Sequence, residues 1–187
     1  MRFRTTVGLT LLLFLLAALF ARLGAWQLER MAQKEQLFQR FDSAPALTLA
    51  EAIDSETRFA RVRAWGRFDT TRHLLLDNRI HRGRPGVHVL TPFHTNDGRT
   101  VLVNRGWLPL AADRRFLPDG PTDASPREIS GRLTPLGSTG LRLGEADDLR
   151  ADTWPQLVTW LDHEPAARAL GINLEHWVIL LDAGQSD

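Results

Sequence analysis

Residues 5 to 21 form an uncharged, leucine-rich run, TTVGLTLLLFLLAALFA, that few structural classes can accommodate. As a helix with a rise of about 1.5 Å per residue it would be about 26 Å long, close to the roughly 30 Å hydrocarbon thickness of a bilayer. A buried core helix would carry a polar face, which this run lacks. A cleaved signal peptide would have a shorter apolar core and a small-x-small site, and Arg22 interrupts the only suitable region. The run therefore predicts a transmembrane helix.

The helix exit has the features of a membrane interface. The apolar stretch resumes after Arg22 as LGAWQL, and the Arg22 side chain is long enough to reach the interface. Trp26 falls where an aromatic belt residue would lie. We assign residues 1–28 to the transmembrane segment.

The orientation of this helix rests on a weaker argument. Arg2 and Arg4 precede it and favour a cytoplasmic N-terminus, whereas the following basic residues oppose that orientation: Arg22, Arg30, Lys34 and Arg40. Long domains translocate largely regardless of such charges. No Arg- and Ser-rich, acid-free leader of the mitochondrial type precedes the helix. We expect a bacterial inner-membrane protein with a cytoplasmic N-terminus and a periplasmic main domain.

Residues 29–57 are predicted to be a stalk and a connector. Helical spacing continues from Gln27 to Phe41, and Pro45 ends it. Ala46 to Thr57 reads as a short connector. From Phe59 the period changes to two, which is typical of strands, so residues 58–187 are assigned to a β-rich extracytoplasmic domain.

The strand pattern in this domain predicts an α+β, mostly β fold. Alternation places Val62, Ala64, Gly66 and Phe68 on one face, with Arg61, Arg63, Trp65 and Arg67 on the other. Four of the predicted strands would form a β-meander; the strand candidates are Phe59–Phe68, His73–Asn78, Val87–Phe93, Thr100–Leu110, Arg127–Leu133 and Trp177–Asp182. We expect a small antiparallel sheet or open barrel with one or two helices.

Turns and one further helix complete this prediction. The Asn96-Asp97-Gly98 sequence marks a turn, and Asp162 to Leu170 has helix-start signals with Gly171 at its stop. Ala111–Pro126 and Gly137–Asp152 are predicted to be loops. Similar Gly-Arg-apolar sequences at Gly66 and Gly131 predict two bulges.

Composition excludes several functional classes. The chain has no cysteine, which excludes a thiol nucleophile, a cysteine-type zinc site and disulfides. The net charge of +1 implies no nucleic-acid partner. There is no Gly-x-Ser-x-Gly elbow and no glycine-rich phosphate cradle. His73, His81, His88 and His94 lack short metal-ligand spacing. We therefore predict no catalytic residues and no metal ligands, and expect a protein that is not an enzyme.

Two segments remain as candidate binding elements. The arginine-rich turn Ile80–Pro85 could bind an anion or be a solvated loop turned by Gly83. In Asn104–Trp107, a glycine beside a tryptophan allows a ligand to approach the backbone closely. The alternative is a β-bulge in which Trp107 packs over glycine and Arg105 has a structural partner.

Two motifs carry a resemblance to a known family. LGAWQLER at 23–30, followed by Lys34, lies at the helix exit, and VLVNRGWLP at 101–109 follows the Asp97-Gly98 turn. Between them, GRFD at 66–69 and LDNR at 76–79 match the intervening segment. Together these resemble the Surfeit locus protein one family over most of residues 20–135. The matching motif residues are Gly24, Trp26, Gln27, Arg30, Lys34, Asn104, Arg105, Gly106, Trp107 and Pro109.

The resemblance implies a function in assembling haem-copper (cytochrome c) oxidase. It implies two membrane helices flanking a β-rich extracytoplasmic domain, with the oxidase catalytic subunit and haem a synthase as partners beside the lipid bilayer. It also implies transient handling of haem a, without covalent chemistry. The haem contacts expected on this basis are Trp26, Gln27, Arg30, Arg105 and Trp107.

One departure from the family bears on haem binding. The sequence ends in the polar residues Ala183–Asp187, without a second apolar stretch of about 20 residues. In the family, that second helix carries the histidine assigned to haem, so no iron ligand is carried over. The chain is either truncated or a divergent form. The alternative function is a membrane-tethered, extracytoplasmic protein-binding module with no haem role, in which Trp26 and Arg30 only anchor the interface.

Overall fold

A computed structural model describes most of the chain as two units, Met1–Ser43 and Ala44–Asp187. The described residues are 2–42, 44–111, 113–114, 116–118, 120, 122–137 and 149–185. The second unit is called the barrel unit below.

The first unit is one uninterrupted helix, α1, Arg2–Asp42. Its segment Val7–Gln36 reaches a mean hydropathy of 2.2, so it is long and apolar enough to cross a membrane. None of that apolar stretch is buried within the protein. Its leucines and alanines favour helix, and it ends just ahead of Pro45, which disfavours helix at the preceding residue. The predicted membrane and stalk segments therefore form one continuous helix.

The described part of the barrel unit contains eight strands and two helices. Their bounds are β1 Ala46–Thr48, α2 Leu49–Asp54, β2 Arg61–Phe68, β3 Leu74–His81, β4 Arg84–Thr95, β5 Thr100–Pro109, β6 Arg127–Pro135, β7 Gln156–Val158, α3 His163–Leu170 and β8 Trp177–Leu181.

The strands form one sheet that closes on itself. Its order is β1-β2-β6-β8-β5-β4-β3-β7, and an additional β2–β4 pairing joins β2, β6, β8, β5 and β4 into a five-stranded barrel. The predicted mostly β fold with a membrane-type helix is confirmed. The pairing of β5 with β8 is parallel, so the barrel is mixed. The predicted meander is wrong at one strand, because β2 pairs with β6 and β4 and not with β3.

The alternation predicted for β2 is confirmed. Its burial alternates strictly between exposed and buried residues, with Val62 and Phe68 inside the barrel. The bulges predicted at Gly66 and Gly131 are wrong, since the strand register passes both without a shift. A Cβ atom on Gly66 would lie 2.2 Å from the His94 carbonyl oxygen, and one on Gly131 would lie 2.2 Å from the Leu180 oxygen. Both glycines instead allow paired strands to approach closely.

Part of the predicted connector belongs to the barrel unit. Thr48 and Glu51 form a capping box that begins α2, and Leu49 and Ile53 are buried in the barrel core. Strand β7 was also not predicted; it pairs in parallel with β3. Most of the predicted loop Gly137–Asp152 lies outside the described residues.

The barrel unit has two main apolar regions. One fills the barrel, and the other lies between the outer face of the sheet and α3. Helix α3 follows the predicted bounds, with Asp162 as N-cap and Gly171 in the left-handed conformation at its end. The outer region forms part of the candidate site.

Candidate functional site

The Asn104–Trp107 segment contains a β-bulge in β5. Asn104 pairs with Leu90 and Trp107 pairs with His88, so two residues of β5 stand opposite one residue of β4. Gly106, one of the two, has φ 121°, a conformation that glycine tolerates. Because paired residues share a face, the bulge places Asn104 and Trp107 on the same face of the sheet.

Arg105 lies on the opposite face, where it has structural partners. Its side chain is 6% exposed, and its Nη1 donates to the carbonyl of Gly120 at 3.2 Å and to the Thr122 hydroxyl. Its guanidinium carbon lies 5.6 Å from the ring centroid of Phe68, within range of a cation–π contact. Arg105 thus links the loop between β5 and β6 to one face of β5. This agrees with the alternative in which Arg105 has a structural partner.

Trp107 also packs against the sheet. A Cβ atom on Gly86 would lie 2.3 Å from the indole, so glycine is required beneath the ring. The indole Nε1 donates to the Arg79 carbonyl at 2.8 Å, and the His81 ring centroid lies 5.4 Å away. The ring therefore packs over a glycine of the neighbouring strand rather than over Gly106. Pro109 pairs with that same Gly86 at the end of β5.

A second bulge, in β3, turns Arg79 toward the same region. Leu76 pairs with His88 and Arg79 pairs with Gly86, so two residues of β3 stand opposite one residue of β4. One of them, Asn78, has φ 60°, which asparagine adopts more readily than most residues. The shift places Arg79 on the face that carries Leu76 and His88.

These residues line a cavity of about 230 Å³ beside the outer apolar region. Arg79, His88 and Asn104 form its polar corner. The rest of the wall is predominantly apolar and includes Leu76, Leu90, Leu136, Trp160, Val178 and Leu180. None of the described lining residues is acidic. The cavity therefore combines a polar corner with an apolar pocket, an arrangement typical of small-ligand sites.

Hydrogen bonds determine which groups the polar corner offers. The Gly106 N–H donates to Asn104 Oδ1 at 3.0 Å, which leaves the Asn104 amide nitrogen facing His88 Nδ1 at 3.2 Å. Since that nitrogen is a donor, His88 Nδ1 accepts and the neutral ring carries its proton on Nε2. The buried Nε of Arg79 has no hydrogen-bond partner among the described residues. The corner is rich in donors.

Burial lowers the pKa of His88, and the positive charges of Arg79 and His81 lower it further. Above the unfolded pKa of about 6.5, His88 is neutral in both states. As the pH falls below that value the unfolded chain binds a proton first, so stability falls until the folded pKa is passed.

We expect the free energy of unfolding to drop between pH 7 and pH 5, and to drop less in His88→Gln. Urea titrations at both pH values measure this; an equal drop in the variant would contradict it.

The remaining predicted residues lie on α1, in the other unit. Trp26 and Arg30 are one helical turn apart and share a face, while Gln27 lies about 100° around the axis from Trp26. Trp26 is 56% exposed. Gly24 and Lys34 are also exposed on this helix. The structure thus brings Asn104 and Trp107 onto one face and separates Arg105 from them. The motif residues Gly24, Trp26, Gln27, Arg30 and Lys34 lie on a distinct unit.

The described residues contain no group of three or more histidine, aspartate or glutamate side chains placed to hold a metal ion. His73 bonds the Thr91 hydroxyl at 3.0 Å, and His94 bonds that of Thr100 at the same distance. The Ile80–Pro85 segment is the exposed tip of the β3–β4 hairpin, in which Arg82 and Gly83 form the turn and Gly83 has φ 75°.

The sequence pattern did not predict that Arg79 and His88 would lie beside Asn104. Arg79 and Asn104 each follow an apolar stretch of a predicted strand, which was the only local signal. That signal was insufficient because the faces of Arg79 and Trp107 depend on β-bulges that simple alternation does not show.

Comparisons with known proteins agree on one family. The model of the SURF1 family matches residues 14–187. A "SURF1-like protein" of Rickettsia bellii is 27% identical over 185 residues, covering 96% of this chain and 71% of that protein. Another, of Rickettsia felis, is 29% identical over 86% of this chain and 70% of its own length. "Surfeit locus protein 1" of Takifugu rubripes is 32% identical over 52% of this chain and 49% of that protein.

Proposed function

The chain belongs to the SURF1 family, whose members are cytochrome oxidase assembly factors, and we propose that it aids haem a provision to, or stabilisation of, the oxidase catalytic subunit. The observation that carries this proposal is the family match across nearly the whole chain, joined to an N-terminal helix able to cross a membrane.

The proposed location follows from α1. Large apolar side chains such as Phe14 and Phe20 are mostly exposed on this helix, and lipid would cover them. With Arg2 and Arg4 ahead of the apolar run, the N-terminus is cytoplasmic and the barrel unit periplasmic, at a bacterial inner membrane. The haem-copper oxidase subunit and haem a synthase are partners within or beside the same bilayer.

The residues on α1 are suited to contact the ring and the propionates of haem a, and not to coordinate its iron. The exposed Trp26 ring can lie on a macrocycle, and Arg30 can pair with a propionate. Residues 2–42 contain no histidine that could bind iron. Bound haem a would supply redox chemistry to the oxidase and none to this chain.

The cavity of the barrel unit does not fit haem. At about 230 Å³ it is smaller than the roughly 300–1,000 Å³ of typical ligand pockets, and a haem macrocycle is a large ligand. Our proposed haem contacts are Trp26, Gln27 and Arg30 on α1. Arg105 and Trp107 are engaged in hydrogen bonds within the barrel unit, which favours a structural function for them.

A gene-deletion strain tests the proposal. We expect its oxidase to lose haem a while other cytochromes remain, as measured by difference spectra of membranes. The wild-type chain should restore haem a, and a Trp26→Ala, Arg30→Gln double variant should not, because it lacks both the aromatic surface and the cation. Glu35→Gln, about 180° from Trp26 around the helix, is the matched control and should restore it.

Immunoblots of membranes must show equal amounts of each variant. Normal oxidase activity in the deletion strain would contradict a function in oxidase assembly. Full restoration by the double variant would contradict the haem contacts and favour a tethered protein-binding module.

A further inference from the structure

The cavity of the barrel unit has a composition that selects a particular kind of ligand. Its polar corner presents the Arg79 guanidinium, the Nε2–H of neutral His88 and the second N–H of the Asn104 amide. All of these are donors. Only an acceptor, and preferably an anion, can satisfy them together.

Arg79 is the residue at which such an acceptor is missing among the described residues. Its buried Nε has no hydrogen-bond partner, and none of the described lining residues carries a carboxylate. Buried donors without partners are rare and costly in folded proteins. The Arg79 carbonyl is held by the Trp107 indole at 2.8 Å, so the backbone that carries this guanidinium is fixed.

The apolar part of the lining limits the rest of the ligand. Leu76, Leu90, Val178 and Leu180 contribute aliphatic side chains, and Trp160 contributes an aromatic one. A ligand with a charged or strongly polar body would lose hydration against this wall without compensation. A volume of about 230 Å³ lies just below the roughly 300–1,000 Å³ range of typical small-ligand pockets, so the ligand is small.

We propose that this cavity binds a short apolar monocarboxylate, with its carboxylate at Arg79, His88 and Asn104 and its hydrocarbon chain against the leucines. Hexanoate, a straight-chain acid, combines one carboxylate with a short hydrocarbon chain and is small enough for a cavity of about 230 Å³. The inference does not depend on a function in oxidase assembly.

Calorimetric titration of the full chain in a neutral detergent tests the site, with hexanoate as the probe. Hexanoate should bind at least about tenfold more tightly than hexanamide, which keeps the chain but has no charge. Arg79→Gln should weaken hexanoate binding about tenfold or more and leave hexanamide binding nearly unchanged. Arg84→Gln removes an exposed arginine from the same hairpin and should change neither.

Several outcomes would overturn the proposal. These are no hexanoate binding up to millimolar concentration, equal affinity for hexanoate and hexanamide, or an equal loss in the two arginine variants. A peptide ending in Leu with a free carboxylate provides a further comparison. If it binds more tightly than hexanoate, the ligand is a chain terminus and the small-acid proposal is wrong.

Near-ultraviolet circular dichroism of Arg79→Gln must match that of the wild type, to show that the variant is folded. If it does not match, His88→Gln should show the same selective loss of hexanoate binding.

Discussion

Gly131→Ala is expected to lower the free energy of unfolding of the barrel unit by about 3 kcal/mol, the upper range for overpacking in a rigid site. The new Cβ atom would lie 2.2 Å from the Leu180 carbonyl oxygen and 2.7 Å from a methyl of Ile179. Gly131 pairs with Val62 on one side and Leu181 on the other, so β6 cannot move away without disturbing β2 and β8. Urea unfolding followed by tryptophan fluorescence measures the loss.

The matched control is Gly120→Ala in the same unit. There the nearest atoms lie 3.6 Å or more from the new Cβ, an ordinary contact distance, so the change should be below about 1 kcal/mol. Gly66→Ala should resemble Gly131→Ala, because its Cβ would meet a backbone oxygen at the same distance. Equal stabilities for Gly131→Ala and Gly120→Ala would show that the strands separate at little cost.

Arg105→Met should destabilise the barrel unit by about 3 kcal/mol, because each hydrogen bond from a charged group contributes about 1.5–3 kcal/mol and its acceptors would lose their partner. Those acceptors are the Gly120 carbonyl and the Thr122 hydroxyl in the loop between β5 and β6. Trypsin should then cleave faster after Arg114 in this loop. Urea unfolding and a proteolysis time course provide the two measurements.

Arg84→Met serves as the control, since Arg84 is exposed at the start of β4. It should change the free energy of unfolding by less than about 0.5 kcal/mol. If Arg105→Met kept full stability and protease resistance but lost haem in cells, Arg105 would be a ligand contact rather than a structural residue.

Local patterns were sufficient to predict much of the fold. Three elements were predicted from local sequence: the alternation of β2, the bounds of α3 with Gly171 at its end, and the apolar N-terminal helix. Each depends on a hydrophobic period or a residue type whose structural preference is strong enough to persist in the folded protein. The motifs at 23–30 and 101–109 also predicted the family. In each case the signal lies within fewer than about twenty consecutive residues of sequence.

The candidate site could not be predicted in the same way. Arg79 lies on the same face of the sheet as His88 only because β3 contains one extra residue. Trp107 lies on the same face as Asn104 only because β5 contains one extra residue. Each bulge reverses the face of every later residue, and no local period reports it. The pairing of β2 with β6 and β4 likewise depends on contacts between residues far apart in the sequence, which local patterns do not predict. The capping box at Thr48 and Glu51 was a readable signal that the connector interpretation overlooked.

The open ends of the eight-stranded sheet are β1 and β7, and each has only three residues. Each longer strand among the described residues has a neighbour on both sides along at least part of its length, although residues 77–81 of β3 extend past β7. This reduces the number of amides and carbonyls free to recruit a strand from another molecule. Membrane proteins are concentrated in two dimensions, where such recruitment would start aggregates. The short outer strands should therefore limit edge-to-edge pairing between neighbouring copies, and with it aggregation in the membrane.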